Sequence, residues 1–211
     1  FSVLPMPSDS TPTSGTSAPI AWADPAREQA FQAWLQTQAR EHGLVPDTVR
    51  SASADASFRR YFRVDGSEAA GNKGSLIIMD APPQHEDCKP FVSVARLLEA
   101  GGVAVPHILS WDEPQGFMLI SDLGSSTLLS TLNVDAPHDA GNRARYNAAL
   151  DELIRIQRVS AQGRVPPYDD ALLQREMDLL PQWYLTQLRG LTLSEQDQAM
   201  LTQTFALIKA Q

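Results

Sequence analysis

Small, hydroxyl-bearing residues gather at Ser53-Ala54-Asp55-Ala56-Ser57, where the chain turns between two extended runs. Side chains of that size let a backbone approach a phosphate, and serine hydroxyls add donors to the N–H groups of the turn. An ordinary hairpin turn has the same composition. Farther along, Ile77 and Met79 sit two apart in a short apolar run, so both point to one side of a strand. They could line an apolar slot for a flat purine ring, or simply fill a core. The run Phe117-Met118-Leu119-Ile120-Ser121-Asp122-Leu123-Gly124 leads a strand into a glycine-terminated linker. Such a linker has a backbone edge able to pair with the N1 and N6 groups of adenine, and it serves equally as a plain hinge. Glu176, Trp183 and Tyr184 fall on neighbouring helical positions around Pro181. A polar acceptor beside two aromatics suits a sugar ring, but a proline-kinked amphipathic helix gives the same pattern.

Other chemistries find no support. No glycine precedes a Lys-Ser/Thr pair at P-loop spacing, and no G-x-G-x-x-G run occurs. His42, His85, His107 and His138 are scattered without ligand spacing. His85 and Cys88 lie three apart, but one such pair cannot fill a four-coordinate zinc site. No nucleophile elbow, Ser-His-Asp order or paired catalytic carboxylates can be argued. The sequence therefore nominates no catalytic residue and no metal ligand of its own.

The elements that would position these residues are legible from period and punctuation. Asp24-Pro25 reads as an N-cap followed by proline at the first helical position. Phe31, Trp34, Leu35 and Gln38 follow at helical spacing until Gly43, which predicts a helix lying as a lid on what comes next. From Thr48 the period shortens. Phe58, Phe62 and Val64 oppose Arg59, Tyr61 and Arg63, as in a strand with two distinct faces. Residues 75–80 (SLIIMD) form a buried strand after a polar loop. A helix opening at Pro90 carries a stripe of Phe91, Val94, Ala95 and Leu98, and Gly101-Gly102 closes it. Residues 107–111 and 116–121 read as two strands joined by a turn at 112–115. Everything beyond reads helical, over 126–132, about 140–159, 170–188 and 194–210. Ser194 with Asp197 approaches a capping box, and Leu201, Phe205 and Ile208 make the last helix's apolar stripe.

Composition narrows the function classes. A formal net charge of −8, with 17 basic against 25 acidic residues, argues against a nucleic-acid partner. A single nucleotide stays open, because a few N–H groups and one metal ion suffice to hold it. One cysteine allows no intrachain disulfide and suits a reducing compartment, the cytoplasm. No apolar run approaches the roughly 20 residues that cross a bilayer, and no signal peptide is evident. The Ser/Thr/Pro/Gly composition of residues 6–20 predicts disorder over 1–23, and Met6 reads as a possible initiator.

In order, SADASFRRYFRV, SLIIMDAPP, a helix ending GGVAVPHIL, and GFMLISDLG resemble the aminoglycoside-phosphotransferase and choline-kinase-like superfamily. The wording is most similar to bacterial anomeric kinases of N-acetylmuramate and N-acetylglucosamine, and PPYDDALLQREMDLLPQWYL resembles their helical lobe. The resemblance covers about residues 25–211. It implies an α+β, protein-kinase-like, two-lobed fold. A nucleotide-binding N-lobe, a five-stranded antiparallel sheet with one helix, would span 24–121. A hinge at 122–125 and an incomplete helical C-lobe over 126–211 would follow.

The resemblance also implies roles. Ser53, Ala54, Asp55, Ala56, Ser57 and Phe58 would cover the phosphates of ATP. Ile77 and Met79 would line the adenine slot, and Ser121 and Leu123 would offer backbone groups to adenine, with Asp122 at the lobe junction. Glu176, Trp183 and Tyr184 are candidates for the sugar side. The implied activity is transfer of the γ-phosphoryl group of ATP, with Mg²⁺, to the anomeric hydroxyl of a cell-wall amino sugar during its recycling. An aminoglycoside, choline or homoserine acceptor, or a non-catalytic nucleotide-binding or scaffolding module, are the alternatives. Two departures stand out. Met79 occupies the place of the superfamily's strand lysine, with Phe91 and Ser93 where its partner glutamate would be. The H-x-D-x-x-x-x-N catalytic loop and the later metal-binding aspartate do not occur, so the expectation is an inactive fragment whose metal ligands lie outside these 211 residues.

Overall fold

The computed structural model describes residues 20–54, 58–72 and 74–210; the predicted N-terminal disorder falls almost wholly outside them. The first helix, α1 (Pro25–His42), starts where its sequence says it should. The Asp24 side chain accepts from the Ala26 N–H, and Gly43 stops the helix in the left-handed region at φ 62°. Phe31, Trp34, Leu35 and Gln38 are its buried residues. The helix is not a lid. Phe31, Trp34 and Leu35 form one continuous core with Leu44, Phe62, Val64, Ile78, Phe117 and Leu119 of the sheet. The Phe31 ring meets Phe62 and Phe117 edge-on at 5.4 and 5.7 Å. Each large apolar side chain so buried contributes about 1.5–3 kcal/mol, which an external flap would forgo.

Five strands make one antiparallel sheet: β1 (Leu44–Ala54), β2 (Arg60–Gly66), β3 (Ser75–Asp80), β4 (Ile108–Asp112) and β5 (Phe117–Ser121), ordered β1-β2-β3-β5-β4. β1 is an edge strand, which accommodates Pro46, and its register with β2 shifts twice. It begins earlier than the predicted onset at Thr48. It also ends later, so Ser53 and Ala54 are paired with Tyr61 and Arg60 instead of standing in the turn. Alternation then divides the sheet. Phe62, Val64 and Ile78 face α1, while Tyr61, Ile77 and Met79 belong to a second apolar cluster with Val92, Met118 and Ile120.

That second face is covered by α2 (Lys89–Ala100), whose buried residues are Val92, Ala95 and Leu97. The stripe read from the sequence was out of phase. Val94 is 39% exposed, because the helix starts with Lys89 and turns Val92 toward the sheet. Phe58 is corrected too: it precedes β2 and is 63% exposed.

Past β5 come a short α3 (Leu128–Thr131) and α4 (Ala140–Arg158). The Ala104 N–H donates to Glu152 of α4 at 2.7 Å. The chain divides into two compact units between Ser160 and Ala161. The second contains α5 (Asp170–Leu179), a π-helical stretch (Leu180–Leu188) and α6 (Glu195–Lys209). The single helix predicted over 170–188 is thus two. Pro181 has no N–H to continue the α ladder, and the wider turn takes over there, with the Arg189 N–H reaching the Tyr184 carbonyl at 3.0 Å. The capping box at Ser194 and Asp197 is complete. Phe205 is buried, whereas Ile208 is 55% exposed and lies off the buried stripe.

Candidate functional site

A cavity of about 340 Å³ opens on the α2 side of the sheet, within the size range of small-molecule sites. Its walls come from three places: Ala52 and Ser53 at the end of β1, Tyr61, Arg63, Ile77 and Ile120 from the middle strands, and Pro106 with Ser121–Ser125 from the connections. Of the predicted nucleotide residues, Ser53, Ile77, Ser121, Asp122 and Leu123 therefore meet at one place. Tyr61, Ile77 and Ile120 supply an apolar floor, and serine and backbone groups rim it.

Asp122 is fixed in this wall. Arg63 reaches it with a bidentate fork, Nε to Oδ2 and Nη2 to Oδ1, the latter at 3.0 Å. The Ser75 hydroxyl donates to Oδ2 at 2.6 Å, and the Gly124 N–H donates to Oδ1 at 2.8 Å. The Arg63 hydrogen bond holds the Asp122 carboxyl far below the usual carboxylate range, and the same bond raises the Arg63 guanidinium. The Arg63 fork also donates to the Gly124 carbonyl at 3.2 Å. Residues 122–124 are thereby tied across the sheet to β2 and β3. Asp122 works as a brace for the linker and not as a reacting acid. Ser121 is partly committed as well, since its N–H donates to the His107 carbonyl and its hydroxyl accepts from the His107 N–H, both at 2.9 Å.

The residues just before β2 carry a second charged cluster. The Glu86 carboxylate accepts from the Phe58 N–H at 3.1 Å and from Arg59 Nε at 3.0 Å. The Phe58 ring stacks on His85 with centroids 4.4 Å apart. This anchors the downstream leg of the segment expected to cover phosphates; Asp55, Ala56 and Ser57 themselves lie outside the described residues. The Glu86 hydrogen bond raises the Arg59 guanidinium, with the Tyr61 hydroxyl a further neighbour.

The remaining predicted residues sit elsewhere. Met79 is wholly buried among Ala81, Cys88, Val92 and Met118 and is not among the residues lining the cavity. It shares a sheet face with Ile77, but α2 covers its end of the strand. Trp183 and Tyr184 are 59% and 49% exposed in the second unit, and Glu176 is exposed beside Arg175 at 3.7 Å. Cys88 is buried, and burial raises its thiol. Among the described residues no group of three or more His, Cys, Asp or Glu could hold a metal ion. A larger hollow of about 680 Å³ lies between α1 and the β4–β5 turn. Asp112 and Glu113 line it with no Lys or Arg, a poor setting for an anion.

Arg59, Tyr61, Arg63 and Glu86 were not nominated as site residues from the sequence. The signal for Tyr61 and Arg63 was present, since they alternate with the buried Phe62 and Val64 along β2 and so share the other face. Glu86 gave no local sign, being 27 residues from Arg59.

Comparison with known proteins agrees with this architecture. Residues 48–211 match the phosphotransferase enzyme family, and the chain belongs to that family. It is 44% identical over 178 residues to an N-acetylmuramate/N-acetylglucosamine kinase of Pseudomonas aeruginosa, covering 81% of this chain and 50% of the relative. The protein of the same name from Pseudomonas putida is 41% identical over 180 residues, covering 82% and 50%. That from Neisseria meningitidis is 32% identical over 178 residues, covering 84% and 50%. The chain spans about half the length of these curated relatives.

Proposed function

We propose that this chain carries the nucleotide-binding part of an ATP-dependent kinase that phosphorylates the anomeric hydroxyl of N-acetylmuramate or N-acetylglucosamine. The observation that carries the reading is the cavity that unites Ser53 with Ile77 and residues 121–125. The relatives' names support the sugar acceptor. In this reading residues 24–121 are the nucleotide lobe, 122–125 the hinge, and 126–211 the start of a helical lobe. Adenine enters between Ile77 and the linker, where the Ser121 carbonyl and the Leu123 backbone meet its polar edge. Residues 53–58 cover the phosphate chain.

Phosphoryl transfer is catalysed chiefly by positioning and charge stabilisation. This chain's contribution is to bind and orient the nucleotide, with Arg63 and Asp122 keeping the linker in register. Mg²⁺ would neutralise the phosphates in such a reaction, but the described residues form no ligand set for it, and no step here runs through it. Glu176, Trp183 and Tyr184 are proposed for the sugar side. The setting is the cytoplasm, where ATP and recycled cell-wall sugars meet.

The test is the full-length protein with Mg-ATP and each sugar, followed by phosphorus NMR. A sugar 1-phosphate is expected. Turnover of an aminoglycoside, choline or homoserine instead would contradict the acceptor assignment.

A further inference from the structure

We infer that the hollow between α1 and the β4–β5 turn binds a small organic cation bearing N–H donors, a guanidinium or alkylammonium compound. This site is independent of the nucleotide reading. Its residues Ser110 and Asp112 pair with Leu119 and Phe117, which belong to the core under α1. Gln38 is the observation that carries the inference. It continues the stripe of Phe31, Trp34 and Leu35, all three of them core residues. Gln38 is only 4% exposed, yet its Oε1 accepts no hydrogen bond among the described residues. A buried amide oxygen without a partner is destabilising, and an apolar side chain would serve a plain core better. The Gln38 side chain lines the hollow, and a half-turn of its amide exchanges oxygen and nitrogen, so the acceptor can be offered to a ligand.

The other walls set the ligand's chemistry. The hollow measures about 680 Å³, within the range of small-molecule sites. Ala30 and Ala33 leave room along α1, and Trp34 adds an aromatic wall beside them. Asp112 supplies the charge. Its carboxylate accepts from the Gln115 N–H at 3.0 Å and from Gln115 Nε2 at 2.7 Å, both neutral donors. Asp112 enters no ion pair among the described residues, whereas Glu113 is paired with Lys89 at 2.9 Å. Arg27, near the start of α1, is turned to Asp80 and the Gln115 carbonyl, and no Lys or Arg lines the hollow. An uncompensated carboxylate, an idle amide acceptor and an aromatic wall together suit an N–H-bearing cation. A metal ion fits less well, because among the described residues no group of three or more His, Cys, Asp or Glu could hold one.

The experiment titrates butylguanidinium and butylammonium calorimetrically into the full-length protein. Butyltrimethylammonium, a cation of the same charge with no N–H, is the control. The wild type should bind one of the first two at least about tenfold more tightly than the control, and the tighter one identifies the head group. Asp112→Asn should weaken that binding about ten- to a hundredfold, the range of a charge-assisted contact. Gln38→Leu should weaken it about two- to tenfold, the range of a neutral one. The same Gln38→Leu change should raise the melting temperature of the ligand-free protein, because it removes a buried oxygen that has no partner. A melting temperature that stays or falls shows that the oxygen already has a partner, ordered water included, and overturns the inference. Binding that both substitutions leave unchanged overturns it too, as does equal affinity for butyltrimethylammonium or no binding by the wild type. Should Asp112→Asn not fold, Gln38→Leu decides alone.

Discussion

Asp122 accepts hydrogen bonds from Arg63 Nε and Nη2, from the Ser75 hydroxyl and from the Gly124 N–H. Its side chain is 7% exposed and that of Arg63 21%, so the pair is largely withdrawn from solvent screening. The folded protein holds this carboxyl far below its ordinary value. A carboxylate depressed on folding stabilises fully above its unfolded value, about pH 4. That stability is lost as the pH falls through the folded value, because the unfolded chain then binds the proton more readily. The melting temperature of the wild type should therefore drop more steeply below about pH 4 than that of Asp122→Asn, which lacks the titrating group. Parallel pH profiles for the two proteins would show that the brace contributes nothing. Reading the sequence could not supply the partner of Asp122, since Arg63 lies 59 residues away.

At the scale of elements, α1 is joined to the sheet by apolar packing and by one buried carboxylate. Asp80, at the end of β3, is 0% exposed. Arg27 of α1 donates to its Oδ1 and Arg60 of β2 to its Oδ2, each through Nε at 3.0 Å. The guanidinium of Arg27 also lies 4.0 Å from the Phe117 ring centroid, and that of Arg60 lies 4.0 Å from Trp22. Removing the charge leaves two partly buried cations short of their partner, which typically costs about 3–5 kcal/mol. Asp80→Asn should lower unfolding free energy in urea by about that amount; a loss under about 1 kcal/mol would mean that packing alone holds α1. Local signals located this helix to the residue, from Asp24 to Gly43, because caps and spacing are local facts. They misjudged its role as a lid, because the Asp80 clamp joins residues 53 positions apart. The phase error at Val94 has a related origin: two apolar stripes fit α2, and only the sheet beneath chooses between them.

The chain is acidic overall, with a formal net charge of −8, and several of its arginines are held by carboxylates. Composition argues against a nucleic-acid partner, and the fold brings Arg63 to a cavity that gathers several of the expected nucleotide residues. The order of elements was legible because each carries its own period and punctuation. The floor of the cavity was legible only in part: strand alternation proposes Ile77 and Met79 equally, and the covering helix leaves just Ile77 on the wall. The most direct test is hydrogen–deuterium exchange on the full-length protein with and without Mg-ATP. Protection should appear in residues 121–125 and 58–63 together, leaving the groove around 110–115 unchanged. Exchange that slows at 110–115 while both of those segments stay as they were would contradict the account.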